Sequence, residues 1–173
     1  PQKPVISALP EATNTPEITV SGYTEALANV DLLVDGEIVL SGKADDQGGF
    51  DLKYTLIKGE HEIRVKAKDE AGNESGSDLK KIIFDPDNLE ITINDPKDGS
   101  EIIGVNNKNM KIQGKVSKSE ATVKVGGSFA LVDSEGNFSQ TISLNEGDNE
   151  IRIEAVDKAG NKIEKSIRLK YYP

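Results

Sequence analysis

The chain contains no cysteine and no tryptophan, and only one histidine and one methionine. Without cysteine there can be no disulfide, no thiolate metal site and no cysteine nucleophile. A single imidazole, His61, excludes two-histidine zinc sites. No stretch approaches the ~20 apolar residues of a membrane-spanning helix, so no membrane insertion is expected in this segment. Arginine is scarce: Arg64, Arg152 and Arg168 stand beside 18 lysines, and there are only four Tyr and four Phe. Aromatic and arginine side chains carry most binding hot spots, so the material for tight recognition is thin. Cationic excess is missing too. The net charge of −9 argues against nucleic acid and anionic membranes, whose phosphates select for basic surfaces.

What remains is a chain of 173 residues, 35% hydrophobic and 29% charged, enough for one domain or two small ones. It opens Pro1-Gln2-Lys3-Pro4, with neither Met nor signal peptide, and is expected to be a segment of a longer protein.

An internal repeat organises it. Residues 45–73 align without gaps on residues 133–161 at an offset of 88, with 13 of 29 positions identical. The shared residues include Asp45/Asp133, Gly48/Gly136, Phe50/Phe138, Ile63/Ile151, Asp69/Asp157 and Gly72/Gly160. Further back, Ala28-Asn29-Val30 meets Ala121-Thr122-Val123 at an offset of 93. Repeat one therefore carries five extra residues between Asp35-Gly36 and Ala44. The expected domains are 1–86 and 87–173, joined through Phe84-Asp85-Pro86-Asp87, which reads as an extended joint. Repeat one has a net charge of −7 and repeat two of −2.

Each repeat alternates with period two. Ile63, Val65 and Ala67 share one face, and Arg64 and Lys66 the other. Ile151, Ile153 and Ala155 repeat the pattern against Arg152 and Glu154. Phe50, Leu52, Tyr54 and Leu56 form a second stripe, matched by Phe138, Ile142 and Leu144 with Gln140 interrupting. Ile18, Val20 and Gly22, like Ile112 and Gly114, mark an earlier strand. Gly and Asx residues punctuate every 8–12 residues. A half-buried strand needs a second sheet over its apolar face. The expected fold is all-β: two tandem immunoglobulin-like antiparallel β-sandwiches of about seven strands each.

The pattern Asp133-x-x-Gly136-x-Phe138, Leu144-x-x-Gly147-x-Asn149-x-Ile151, then Ala155-x-Asp157-x-Ala159-Gly160-Asn161 resembles bacterial immunoglobulin-like repeats. In particular, it is similar to the domain type named after glucodextranase domain B. Repeat one departs from it at Gly49, at His61 in place of Asn, and in its longer hairpin. The resemblance implies a tandem module of exported bacterial or archaeal proteins, serving as stalk, adhesin segment or accessory domain beside glycoside hydrolases.

The chemistry-bearing residues lie in turns. Asp45–Gly48, Asp133–Gly136, Asp69–Asn73 and Asp157–Asn161 read as tight turns, in which Asp accepts local backbone bonds and Gly takes positive φ. Calcium ligation by their oxygens is the competing reading. The strand order of a sandwich places the Lys115–Glu120, Asp133–Gly136 and Asp157–Asn161 loops at the pole where repeat two begins. Asp85, Asp87, Asp133, Glu135, Asp157 and Asn161 are therefore the calcium candidates, at the junction of the repeats. Lys115, Lys118 or a cation would relieve that acidic cluster. His61, matched by Asn149, reads as a tolerant surface position. For stacking on a sugar only Tyr23, Phe129, Tyr171 and Tyr172 remain, and one ring of the Tyr171-Tyr172 pair should face out. No catalytic pair or nucleophile elbow is present, so no enzyme is expected. The expected role is a monomeric extracellular spacer or adhesin-stalk segment at the cell surface, partnered by neighbouring repeats. The alternative is an accessory module binding a carbohydrate, the cell wall or a surface protein.

Overall fold

The computed structural model describes all residues, 1–173. It divides into two compact units, Pro1–Pro86 and Asp87–Pro173.

Unit 1 contains β1 (Val5–Ile6), β2 (Ala12–Thr13), β3 (Glu17–Tyr23), β4 (Asn29–Val34), β5 (Glu37–Lys43), β6 (Gly49–Thr55), β7 (Gly59–Lys68), β8 (Glu74–Gly76) and β9 (Lys80–Phe84). One sheet runs β1-β3-β6; the other runs β2-β9-β7-β4-β5, with β8 also on β7. Unit 2 contains β10 (Ile91–Asp95), β11 (Glu101–Ile103), a single 3-10 turn (Val105–Asn107), β12 (Asn109–Val116), β13 (Thr122–Val125), β14 (Ser128–Phe129), β15 (Leu131–Val132), β16 (Asn137–Ser143), β17 (Gly147–Val156) and β18 (Lys162–Tyr172). Its sheets run β10-β12-β16-β15 and β11-β18-β17-β13-β14.

Pairing is antiparallel except at one edge of each unit, where β2 lies parallel to β9 and β11 parallel to β18. Short pieces of two or three residues, such as β1, β2, β8, β11, β14 and β15, are strands that alternation over a longer window does not register.

The period-two stripes become the two cores. Ile63, Val65 and Ala67 are buried, as are Ile151, Ile153 and Ala155. Phe50 and Phe138 sit at equivalent core positions, 6% and 3% exposed. Each such side chain contributes roughly 1.5–3 kcal/mol of burial. Across the strand pair, Phe50 faces Gly22 and Phe138 faces Gly114. The glycines are required by the close approach: a Cβ at Gly22 would strike the Phe50 ring and the Val5 carbonyl, and one at Gly114 the Phe138 ring and the Thr92 carbonyl. Each ring thus lies over a bare backbone and fills the space a side chain would take.

The five extra residues of repeat one lengthen the β4–β5 hairpin, beginning within β4 itself. Leu32 pairs with Val65 and Val125 with Ile153, which makes Leu32 and Val125 equivalent. Unit 1 then adds Leu33 and Val34, with a bulge at Leu32/Leu33, before turning at Asp35-Gly36 (φ 54° and 87°). Unit 2 turns at once, at Gly126-Gly127 (φ 57° and 84°). Two consecutive positive φ values give the tight hairpin turn whose twist suits the flanking strands. The returning strand is longer as well. In unit 1 all of β5 stays with β4, whereas in unit 2 β14 pairs with β13 and β15 crosses to β16 in the opposite sheet.

Candidate functional site

Four Asp-led turns share one geometry. In each, the N–H of the Gly at the fourth position donates to the Asp carbonyl: Gly48 to Asp45 and Gly72 to Asp69 at 3.1 Å, Gly136 to Asp133 at 3.0 Å and Gly160 to Asp157 at 3.1 Å. The N–H of the fifth residue donates to Asp Oδ1, at 2.7 Å for Gly49, 2.8 Å for Asn73, 2.8 Å for Asn137 and 2.9 Å for Asn161. Where that residue is Asn, its amide also reaches Asp Oδ2: Asn73 at 2.8 Å, Asn137 at 3.0 Å and Asn161 at 2.9 Å. The carboxylate therefore organises its own turn. Hydrogen bonds from the Asn73 side chain and backbone, with the Pro1 ammonium 3.2 Å away, lower the Asp69 pKa to about 2. The Asn137 amide, its backbone N–H and the nearby Lys115 charge likewise lower that of Asp133.

Asp157 goes further. Its side chain is 1% exposed and pairs with Lys118 Nζ at 2.7 Å. Lys118 also donates to the Asp87 carbonyl at 2.8 Å, tying the first residue of unit 2 to the turn after β17. Burial pushes the Asp157 pKa up, but the Lys118 and Asn161 hydrogen bonds outweigh it and hold the carboxyl below its ordinary value. Two further bonds gather the same end of the unit: Val116 N–H to the Gly136 carbonyl and Ser117 N–H to the Glu90 carbonyl, both at 2.9 Å.

Of the six calcium candidates, Asp157, Asn161 and Asp87 are thus brought together around a lysine ammonium. Asp133 and Glu135 share their own turn, where the Asn137 amide contacts Glu135 at 3.4 Å. Asp85 belongs to unit 1, its N–H bonded to the Thr13 carbonyl at 2.9 Å. In neither unit do three or more Asp, Glu or His side chains close on a common point as a metal ion would require.

His61 is not the tolerant surface residue its exchange for Asn149 suggested. It is 6% exposed, with Nδ1 2.7 Å from Asp35 Oδ2 and Nε2 2.8 Å from the Ile57 carbonyl. Asn149 does the matching work in unit 2, donating from Nδ2 to the Asn145 carbonyl at 2.7 Å and accepting the Asn145 N–H at 2.8 Å. The exchange preserves a bond to the residue four positions earlier, which is why both side chains fit.

The aromatic inventory divides as follows. Tyr171 is buried, while Tyr172, Tyr23 and Phe129 are exposed. Lys124 lies over the Phe129 ring at 4.7 Å, and Lys170 over Tyr172 at 5.4 Å, occupying faces a sugar would stack on. The polar concavity of unit 2 is a cleft of about 480 Å³ beside its shorter hairpin. Ser128, Thr141, Ser143 and Asn145 line it without a side-chain hydrogen bond within the chain; Asp148 and Glu150 line it too, and lie across the strand pair from Lys170 and Arg168. The counterparts of Thr141, Asn145 and Asp148 in unit 1 are Lys53, Ile57 and Glu60, the last of which pairs with Lys81 at 3.0 Å.

Two sheets around one core in each unit place both in the immunoglobulin-like β-sandwich class. More narrowly, residues 89–171 match the family described as "Glucodextranase, domain B" and residues 1–81 the one described as "Bacterial Ig domain". Each match spans nearly all of one unit, and the chain is a tandem of bacterial immunoglobulin-like repeats. It is 32% identical over 154 residues to Bacillopeptidase F of Bacillus subtilis (strain 168), covering 88% of this chain and 10% of that protein. It is 31% identical over 125 residues to Amylopullulanase of Thermoanaerobacterium thermosulfurigenes, covering 65% of this chain and 7% of that one. The chain thus spans a tenth or less of these relatives. Among solved structures, the fibronectin(III)-like modules of Clostridium thermocellum CbhA share the fold, with a TM-score of 0.64 and 18% identity over 96% of this chain and 93% of that one.

Proposed function

We propose that this chain is a non-catalytic spacer of a longer protein acting outside the cell, its two sandwiches carrying the parent's working domains away from their anchor. The observation that carries this reading is the use of the loop carboxylates. Asp45 commits one carboxylate oxygen to its own turn, and Asp69, Asp133 and Asp157 commit both, with Asp69 also paired to the Pro1 ammonium and Asp157 to Lys118, so the loops are built for rigidity rather than for chemistry. The relatives agree in kind, since Bacillopeptidase F and Amylopullulanase each contain a segment similar to this one as a small part of a much longer chain. The test is replacement: an unrelated pair of β-sandwich modules should serve in the parent protein. Unchanged turnover and substrate binding are expected. A fall in binding with turnover intact would move the assignment to an accessory binding module.

That second reading has one specific observation behind it. The polar cleft of unit 2 offers three hydroxyls and one amide without internal hydrogen bonds, bordered by the Asp148 and Glu150 carboxylates, a set suited to a neutral polyhydroxylated ligand. Titration of the full chain with maltohexaose and cellohexaose, followed by amide NMR shifts, tests it. Shifts confined to residues 126–128, 141–145 and 148–151 are expected if the cleft binds sugar; no shift at 10 mM rejects it.

A further inference from the structure

The buried histidine of unit 1 has hydrogen-bond partners that only one protonation state can satisfy. A backbone carbonyl has no hydrogen to give, so the contact at 2.8 Å requires a proton on Nε2 to meet Ile57. The Asp35 carboxylate is also an acceptor, so the contact at 2.7 Å requires a proton on Nδ1. Both ring nitrogens donate only in the imidazolium form. A neutral ring, itself only 6% exposed, would turn a lone pair toward one of the two oxygens, the half-exposed Asp35 carboxylate or the Ile57 carbonyl.

Asp35 sits at the tip of the longer hairpin of unit 1, whose counterpart in unit 2 turns at Gly126-Gly127. Its other oxygen accepts the Glu62 N–H at 2.8 Å, and its own N–H donates to the Glu62 carbonyl at 2.9 Å. The hairpin tip is thereby fastened to β7 at two neighbouring residues, His61 and Glu62. We propose that His61 is a proton-dependent latch holding the tip of the long β4–β5 hairpin of unit 1, at Asp35, against the start of β7, beyond the β4–β7 ladder; the device is absent from unit 2, where Asn149 makes the turn bond without a titratable group.

The surroundings leave the switching to the ring itself. On β7, Glu60 pairs with Lys81 of β9 at 3.0 Å, and Glu62 meets Asp35 through its backbone. Across the strand pair His61 faces Ile82, which is fully buried. Asp35 is the charged group acting on the ring. Burial lowers the pKa of His61, but the bonds to Asp35 and Ile57 outweigh it and hold it above the ordinary 6.5. Asp35 is held below its ordinary value, first by the Glu62 N–H and then by His61, and stays ionised throughout this range. A raised histidine stabilises the latch fully below about pH 6.5, and this stability is lost as pH rises through the folded value.

Two measurements on the full chain test this. The ring nitrogens of His61, followed by NMR, should both carry protons at pH 6 and titrate with a midpoint above 6.5. Amide exchange at Asp35 and Glu62, corrected for intrinsic base catalysis, should accelerate at least tenfold within two pH units above that midpoint. Gly126 and Glu150 of unit 2 are the internal control and should follow the intrinsic rate alone. In His61→Asn, which keeps a donor for Ile57, hairpin exchange should lose its excess pH dependence. A neutral ring at pH 6, or hairpin protection that ignores the titration, overturns the latch; both are read on the unmutated chain.

Discussion

His61 and Asn149, equivalent positions of the two repeats, donate a side-chain N–H to the carbonyl of the residue four places earlier, Ile57 at 2.8 Å and Asn145 at 2.7 Å. Each pins the bend that leads into the long strand of its sheet, β7 or β17. Removing the donor leaves that carbonyl without its partner. Asn149→Ala should therefore lower the stability of unit 2 by roughly 1–2 kcal/mol, with no dependence on pH between 6 and 9. Denaturant unfolding at several pH values checks both parts, and a loss that varies with pH would contradict the assignment.

The glycine–phenylalanine pairs bear on the cores. Phe50→Ala and Phe138→Ala should each cost about 3–5 kcal/mol, because the ring leaves a cavity over a strand with no side chain to fill it. Gly22→Ala and Gly114→Ala should destabilise as well, since the added methyl meets backbone as well as ring. Chemical denaturation of the four variants is the check. A Gly114→Ala protein as stable as the parent would mean that the Phe138 ring does not lie over that strand.

Lys118 holds a carboxylate taken almost wholly out of water. Lys118→Met removes the cation and leaves Asp157 with the Asn161 donors alone, at a cost of about 3 kcal/mol at pH 7. The pH sign follows from the lowered Asp157 pKa. Stability from the pair is fully present above about pH 4, the unfolded value, and is lost as pH falls through the depressed folded value. Acid unfolding should therefore separate parent and variant near neutrality, with the gap closing as pH falls below about 4 and through the depressed folded value. A constant gap down to pH 2 would show that Lys118 acts through packing alone.

Each unit has its own core and its own set of turns. Residues 1–86 and 87–173, expressed separately, should each give the dispersed amide spectrum of a folded sandwich, since ~87 residues suffice without staples. A collapsed spectrum from either half would show that the halves depend on each other for folding.

Much of this was legible in the chain itself. The stripes Ile63-Val65-Ala67 and Ile151-Ile153-Ala155, the repeat at offset 88 and the Asp-x-x-Gly turns determine all-β structure, because alternation and turn chemistry are properties of neighbours along the chain. The five-residue length change is likewise countable in the sequence. Its consequence is not: only the sheets decide that β5 stays with β4 while β15 crosses to the opposite sheet, since strand partners are chosen by contacts between distant segments. The parallel edges β2–β9 and β11–β18 escaped for the same reason, being pairings of two or three residues between chain-distant segments. His61 shows the limit most clearly. As a letter beside Asn149 it looked like surface variation. It is a buried ring bonded at both nitrogens, and the Asp35 carboxylate across the hairpin and the Ile57 carbonyl outweigh burial and raise its pKa; such neighbours in space are not encoded in sequence spacing.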